Sequence, residues 1–149
     1  MQTVMIIDDD RELLAELSEA LGASGYSVKP FSEGKAALLA APKIMPDVIL
    51  LDLKMDKVSG FQVADKLNCS PKTENIPIIA MTGYFTQEEY GLITRICGMR
   101  KCINKPFKME DIIAEVARIL EGGSQQLQQV KCGGEQNEKS DERFKKAEK

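Results

Sequence analysis

The stretch Val48-Ile49-Leu50-Leu51-Asp52 decides the fold, because four consecutive apolar residues end directly on an acidic one. A short, continuous apolar run of this kind is typical of a strand that is buried on both faces of a parallel sheet. Three other apolar runs also lead into a polar or charged residue, namely 5–7 before Asp8, 78–81 before Thr82, and 102–104 before Lys105. If all four runs are parallel strands of one sheet, their carboxyl ends lie along one edge, where open α/β folds bind ligands.

Strand and helix signals alternate along the chain around these runs. Five strands are predicted at 3–7, 26–31, 48–51, 76–81 and 101–104. Apolar residues at helical spacing follow each of them and predict helices over 13–21, 32–41, 61–67, 86–97 and 109–120. Five such pairs within roughly 120 residues indicate an α/β fold, with a doubly wound, five-stranded parallel sheet, right-handed crossovers and helices on both faces.

The composition narrows the classes of function. A chain of 149 residues suits one domain, and a hydrophobic content of 43% is enough to form a core. The net charge of -3 and the absence of a basic cluster argue against a nucleic-acid surface. No apolar stretch approaches the roughly 20 residues of a membrane span. We therefore expect no membrane insertion and a cytoplasmic location.

A change in composition predicts where the folded domain ends. After Gly122-Gly123 the chain is rich in charged and amide residues. The apolar side chains that remain there are Leu127, Val130, Cys132, Phe144 and Ala147. So few of them cannot offset the entropy cost of ordering the segment. We expect a folded domain over residues 1–121 and a flexible polar tail or linker over 122–149.

The chain contains no histidine. This removes the usual general base and the Ser/His and Cys/His nucleophile systems, so any chemistry must rest on carboxylates, lysine and a metal. The four cysteines form no CxxC pair, and a zinc site is not expected. Free cysteine behaves as a small hydrophobe, so we expect buried or free thiols.

Four short motifs stand at the predicted strand ends. They are Asp8-Asp9, Asp52-Leu53-Lys54-Met55 with Gly60 eight residues after the aspartate, Thr82-Gly83, and Lys105-Pro106-Phe107. On these motifs, residues 1–121 resemble the receiver domain of two-component response regulators. The resemblance implies a flavodoxin-like fold with strand order 2-1-3-4-5.

The resemblance also implies a signalling role. Asp52 would accept a phosphoryl group from a sensor histidine kinase or a phosphotransfer protein in a phosphorelay, and the modified chain would change its affinity for a downstream partner. Such a chain is a phosphoacceptor switch and not an enzyme, with Mg²⁺-dependent self-phosphorylation and autodephosphorylation. The Lys105–Pro106 peptide bond is expected to be cis, in a tight turn that aims the lysine over the strand ends.

The acidic residues suit a metal that assists phosphoryl transfer. Transfer depends on positioning and charge neutralisation, so a carboxylate nucleophile needs a cation to meet an incoming anion. Mg²⁺ prefers oxygen ligands and keeps several waters. We expect it at Asp9, Asp52 and the main-chain carbonyl of Lys54. Asp8 is expected to act through an outer-shell water.

Two further residues are expected to contact the phosphoryl group. Lys105 can pair with its oxygens, or with Asp52 before modification, and the Thr82 hydroxyl can hydrogen-bond one of them. Gly83 leaves the approach to Asp52 open. The added charge would draw Thr82 inward and shift its loop between two arrangements.

Two residues depart from the family pattern. Asp56 stands where the family usually has proline, and Cys102 stands where it often has tyrosine or phenylalanine. A thiol is too small to replace a ring that swings with the threonine. We therefore expect the largest response to phosphorylation near Tyr84 and Phe85, not around Cys102. For Tyr84 two interpretations stay open, a shield that keeps water from the phosphoryl group or a surface aromatic without such a role.

Other functions remain open on the sequence alone. The chain could be a receiver fragment of a longer regulator, or a divergent receiver with altered output. A Mg²⁺-dependent phosphatase of the haloacid-dehalogenase type would need a second aspartate where Lys54 stands. A flavin-binding module would need glycine and hydroxyl residues in the loop after the first strand, which is acidic instead. The sequence does not identify the kinase, the downstream target or the oligomeric state.

Overall fold

The computed structural model describes residues 1–83 and 99–122. These residues form β1 (Thr3–Ile7), α1 (Arg11–Ala23), β2 (Ser27–Phe31), α2 (Gly34–Ile44), β3 (Val48–Asp52), α3 (Gly60–Asn68), β4 (Ile78–Thr82), β5 (Lys101–Asn104) and α4 (Met109–Gly122). The helix predicted over 86–97 and the tail predicted from 122 onward lie outside the described residues, apart from Gly122 itself. No helix in the described part of the chain is long and apolar enough to cross a membrane.

The five strands form one parallel sheet in the order β2-β1-β3-β4-β5. This confirms the predicted fold class and strand order. β3 is the central strand, and each of its five residues is buried. Because every strand is parallel to its neighbours, the carboxyl ends of β1, β3, β4 and β5 share one edge of the sheet.

The core has one layer on each face of the sheet. Alternate residues of a strand point to opposite faces, so Met5 and Ile7 join the layer with α2 and α3, while Val4 and Ile6 join the layer with α1. α1 contributes Leu14, Leu17 and Leu21 to the same layer as Val4 and Ile6. Both faces of the central strands are therefore covered, as their continuous apolar sequences predict.

Local sequence accounts for the helix starts nearest the sheet edge. Asp10 precedes α1, and its side chain accepts hydrogen bonds from the main-chain N–H groups of Glu12 and Leu13 at 3.1 and 3.2 Å. Ser59 precedes α3 and forms a capping box with Gln62. These caps fix where each helix begins relative to the strand before it.

α2 ends later than predicted. The predicted helix stops at residue 41, but α2 includes Pro42 and continues to Ile44. Ile44 packs against the core, and Met45 closes the helix with a left-handed backbone (φ 52°) and an N–H bond of 2.8 Å to the Ala41 carbonyl. Packing of the last turn thus outweighs the cost of a proline inside it.

Two smaller expectations also need correction. β4 begins at Ile78, so Pro77 precedes the strand, where its missing N–H has no ladder bond to make. Among the described cysteines, Cys102 carries a free thiol. Cys69 is disulfide-bonded, so the expectation of free or buried thiols is wrong for Cys69.

Candidate functional site

Three carboxylates meet at the carboxyl edge of the sheet. Asp8 and Asp9 follow β1, and Asp52 is the last residue of β3. One oxygen from each lies within 4.8 Å of the others. The side chains of Asp8 and Asp52 are almost fully buried, whereas Asp9 is the most exposed of the three. The acidic residues that were predicted to converge do so.

The three consecutive acidic residues after β1 have different roles. Asp10 caps α1, and its main-chain N–H donates to Asp8 Oδ1 at 2.9 Å. This bond holds the Asp8 carboxylate beside the sheet edge while the Asp10 side chain serves the helix. Asp10 therefore serves as the helix cap, while Asp8 and Asp9 belong to the carboxylate cluster.

The loop after β3 donates main-chain hydrogen bonds to acids at the ends of both β1 and β3. The Lys54 N–H donates to Asp52 Oδ1 at 3.1 Å, and the Asp56 N–H donates to Asp9 Oδ2 at 3.0 Å. The bond from Asp56 was not predicted, because it depends on the path of the loop and not on the side chain of residue 56. With it, the loop joins the acids of β1 and β3.

Lys105 supplies the positive charge of the site. Its Nζ lies 3.1 Å from Asp8 Oδ2 and 3.6 Å from Asp52 Oδ1. The Lys105–Pro106 peptide bond is cis, which confirms that prediction. Lys105 N–H also donates to the Thr82 carbonyl at 2.8 Å, so the turn after β5 is fixed to the end of β4.

Thr82 ends β4 and is buried. In the register of β3 and β4, Asp52 pairs with Met81, so Thr82 stands one residue beyond the acid along the shared edge. Gly83 follows it, and a methyl group on Gly83 would lie 3.4 Å from the Lys105 carbonyl oxygen. Thr82, which was predicted to accompany Asp52, is thus on the strand next to β3, whereas Lys105 follows β5, the strand beyond it.

The electrostatics of Asp52 are set by burial. Loss of solvent, reinforced by the nearby Asp8 carboxylate, raises the pKa of Asp52 to about 6. The Lys54 N–H and the Lys105 ammonium oppose this increase, and Asp9 adds to it. For Lys105, burial lowers the pKa, but Asp8 and Asp52 outweigh it, and the pKa of the ammonium is raised. Lys105 is therefore charged at neutral pH.

The donor set fits a hard divalent cation. Three carboxylates with oxygens within 4.8 Å of one another offer only oxygen ligands, which Mg²⁺ and Ca²⁺ prefer over softer donors. The site holds three carboxylates and one ammonium, so a cation would improve its charge balance. The position of the Lys54 carbonyl as a further ligand stays a prediction.

Cys102 lies on β5, where it is partly buried and packs against the core. Partial burial raises the pKa of its thiol to about 11, so the thiolate is not available at neutral pH. Tyr84 and Phe85, where the largest response to phosphorylation was expected, lie outside the described residues. That expectation stays a prediction.

A family model for the response regulator receiver domain matches residues 4–117. Among curated proteins, the DNA-binding dual master transcriptional regulator RpaA of Synechocystis is 32% identical over 122 residues, covering 80% of this chain and 49% of that protein. A probable cyclic di-GMP phosphodiesterase of Vibrio cholerae is 36% identical over 87 residues, covering 58% of this chain and 20% of that protein. The chain thus spans half or less of the length of these two relatives.

Solved structures show the same fold. The chemotaxis protein CheY4 of Vibrio cholerae matches with a TM-score of 0.75 and 27% sequence identity, covering 80% of this chain and 99% of that one. A CheY-like receiver domain protein of Methanospirillum hungatei has a TM-score of 0.76 at 21% identity, which is a likeness of fold alone.

Proposed function

The chain belongs to the response regulator receiver domain family, and from that premise we propose that it is a phosphoacceptor switch in which Asp52 carries the phosphoryl group. The observation that carries this proposal is the position of Asp52. It ends the central strand, it is buried, and it faces both the acid pair after β1 and the Lys105 ammonium at 3.6 Å. A nucleophile for an anionic donor needs such neighbours.

The proposed step transfers a phosphoryl group to a carboxylate oxygen. A bond forms between an Asp52 oxygen and phosphorus while the phosphorus–nitrogen bond of a donor phosphohistidine breaks, and the imidazole leaves. The raised pKa of about 6 still leaves Asp52 mainly ionised at pH 7, as an attacking oxygen requires. The bonds from the Lys54 N–H to Asp52 and from the Asp10 N–H to Asp8 hold the acids in place beforehand.

We propose Mg²⁺ as the cofactor. Asp9, Asp52 and the Lys54 carbonyl are its proposed direct ligands, with Asp8 acting through water. When bound, the metal supplies the charge that offsets repulsion between the carboxylates and the phosphoryl oxygens. The Asp56 N–H donates to Asp9 Oδ2, so Asp9 Oδ1 is the proposed metal ligand.

Lys105 and Thr82 are proposed to receive the transferred group. Lys105 is charged and lies between Asp8 and Asp52, so it can turn from a carboxylate to a phosphoryl oxygen without a large movement. Thr82 lies on the neighbouring strand, and its hydroxyl can donate to another phosphoryl oxygen. A pull on Thr82 would move the chain that follows β4, and this movement is the proposed signal.

The proposed phosphodonor is a sensor histidine kinase or a phosphotransfer protein in the cytoplasm, and the output is a change in affinity for a protein partner. We propose residues 1–121 as the phosphoacceptor unit. Because the matched region covers 49% of one of these curated relatives and 20% of the other, a receiver within a longer regulator is the alternative organisation. A dehalogenase-type phosphatase is disfavoured because Lys54 stands where its second aspartate is needed.

Intact-mass spectrometry tests the proposal. The protein is mixed with acetyl phosphate, with and without Mg²⁺, and the mass is recorded over time. We expect one phosphoryl group per chain with Mg²⁺ and little without it. Labelling that is equal in EDTA would overturn the metal assignment. The absence of labelling with both acetyl phosphate and phosphohistidine donors would overturn the function.

A further inference from the structure

We propose that Gly60 is a positioning residue for Asp52, an inference that rests on the proposed function. Gly60 is the first residue of α3 and is buried. A Cβ at this position would overlap the carbonyl oxygen of Asp52, and it would lie 2.5 Å from Leu53 Cα and 2.9 Å from the Asp52 carbonyl carbon. The start of α3 therefore rests directly on the peptide that follows the phosphoacceptor.

The glycine is needed for space and not for its backbone angles. In the described residues, the glycine with a positive φ is Gly25 and not Gly60. The Gly60 N–H donates to the Leu53 carbonyl at 3.1 Å, which holds the two backbones together. The Ser59 capping box also fixes the first turn of α3. A side chain at residue 60 would thus push against the Asp52–Leu53 backbone, which has little freedom to yield.

The loop between these contacts holds the site together. It begins at Leu53 and returns at Gly60, and in between it donates the Lys54 N–H to Asp52 and the Asp56 N–H to Asp9. Real Cβ atoms essentially never approach a heavy atom closer than 3.0 Å, so the Asp52–Leu53 peptide would have to move. A displacement near 1 Å at a reacting group can cost on the order of 100-fold in rate.

Gly34 provides a matched control within the same fold. It is also the first residue of a helix, α2, and it is also buried. A Cβ there would lie 2.9 Å from Val63 Cγ2, and its other near neighbours are also side-chain atoms, so it tests a tight contact that does not involve the Asp52–Leu53 backbone. Gly22, on the exposed surface of α1, has no atom within 4 Å of the added Cβ and controls for the helical propensity of alanine.

The test compares Gly60→Ala, Gly34→Ala and Gly22→Ala with the wild type. For each, the Mg²⁺ dissociation constant of the folded protein is measured by titration, and the rate of labelling by acetyl phosphate is measured by mass. We expect Gly60→Ala to bind Mg²⁺ at least roughly tenfold more weakly and to be labelled on the order of 100-fold more slowly. Both controls should stay within about twofold of the wild type, because neither moves the Asp52 peptide.

A second measurement covers the case in which Gly60→Ala is poorly folded. Unfolding is followed with and without Mg²⁺ in an osmolyte that favours the folded state. Mg²⁺ should raise the midpoint of wild type and of Gly34→Ala, because a ligand that binds only the folded state stabilises it. The midpoint of Gly60→Ala should hardly respond.

The outcomes separate this inference from the function on which it rests. If the wild type neither binds Mg²⁺ nor is labelled, the proposed function fails. If the wild type does both and Gly60→Ala matches it, the function stands and the positioning role is overturned. A Gly60→Ala chain that fails to fold even in osmolyte would also overturn the positioning role, because the glycine would then serve the whole fold.

Discussion

The Lys105 ammonium lies 3.1 Å from Asp8 Oδ2, nearer than the 3.6 Å that separates it from Asp52 Oδ1. Asp8 is fully buried, so the lysine offsets the charge that is hardest to solvate. At Asp52, Lys105 opposes but does not cancel the effects of burial and of the Asp8 carboxylate, so the pKa of Asp52 remains raised. The lysine thus offsets mainly the buried charge of Asp8 and leaves the charge of Asp52 for a further cation.

Replacing Lys105 with methionine should destabilise the protein. The change keeps most of the side-chain volume and leaves Asp8 buried beside Asp52 without its cation. Because the lysine side chain is 27% exposed, we expect a loss of about 1 to 2 kcal/mol at pH 7, below the range for a fully buried pair. Urea unfolding measures the change, and Lys108→Met, at an exposed position, is the control. Equal losses in the two variants would show that the ion pair contributes nothing.

Asp52→Asn should stabilise the metal-free protein at neutral pH. The folded-state pKa of about 6 exceeds the ordinary value of 3.8. The folded state therefore binds the proton more tightly, and the stability of the wild type falls as pH rises from about 4 to 6. Removing the charge should restore on the order of 2 kcal/mol at pH 7 and little near pH 4.

The measurement is urea unfolding in EDTA at both pH values. Asp65→Asn, on the exposed side of α3, is the control and should change stability by less than about 0.5 kcal/mol. The account of Asp52 is wrong if Asp52→Asn is no more stable than the wild type at pH 7, or if its advantage is the same at both pH values.

Asp9→Ala should weaken Mg²⁺ binding roughly tenfold or more, because it removes a proposed direct ligand. Asp10→Ala is the matched control from the same acidic run. Its side chain caps α1, so we expect a stability loss of about 1 kcal/mol with unchanged Mg²⁺ affinity. Isothermal titration of the two variants separates these roles. If Asp10→Ala binds Mg²⁺ as weakly as Asp9→Ala, the assignment of metal binding to Asp9 and helix capping to Asp10 is wrong.

Much of the fold was predictable because its three inner strands, β1, β3 and β4, are buried on both faces. The apolar runs that end at Ile7, Leu51 and Met81 are continuous. Short runs of this kind are typical of strands in the interior of a parallel sheet. The location of the site was predictable because parallel strands bring their carboxyl ends to one edge of the sheet. α2 extends beyond its predicted end at residue 41, because packing of Ile44 outweighs the low helix propensity of Pro42.

Details of the site that depend on distances were not predictable. The sequence shows that Lys105 belongs near the acids, but it does not show that Asp8 is its nearer partner. The bond from the Asp56 N–H to Asp9 is made by the main chain, so no residue type signals it. The contact of Gly60 with the Asp52 peptide needs the path of the loop as well as the glycine.

A chain ending at Gly122 should fold and be labelled like the full sequence, because the polar composition of 123–149 gives it little to bury. α4 spans Met109–Gly122, and its Ile112 and Val116 are buried in the core. Cooperative urea unfolding and intact mass after acetyl phosphate are the measurements. A drop in stability of more than about 1 kcal/mol, or a slower labelling rate, would show that the tail packs on the domain.

The most direct test of the central claim is to locate the phosphoryl group. An aspartyl phosphate is an acyl phosphate, and borohydride reduces it to the alcohol, which converts the modified aspartate to homoserine. After labelling with acetyl phosphate and Mg²⁺, reduction and proteolysis, peptide mass spectrometry reads the position. We predict homoserine at residue 52 and none in Asp52→Asn. Homoserine at Asp8, Asp9 or Asp56 in the wild type, or at none of the aspartates, would contradict the account.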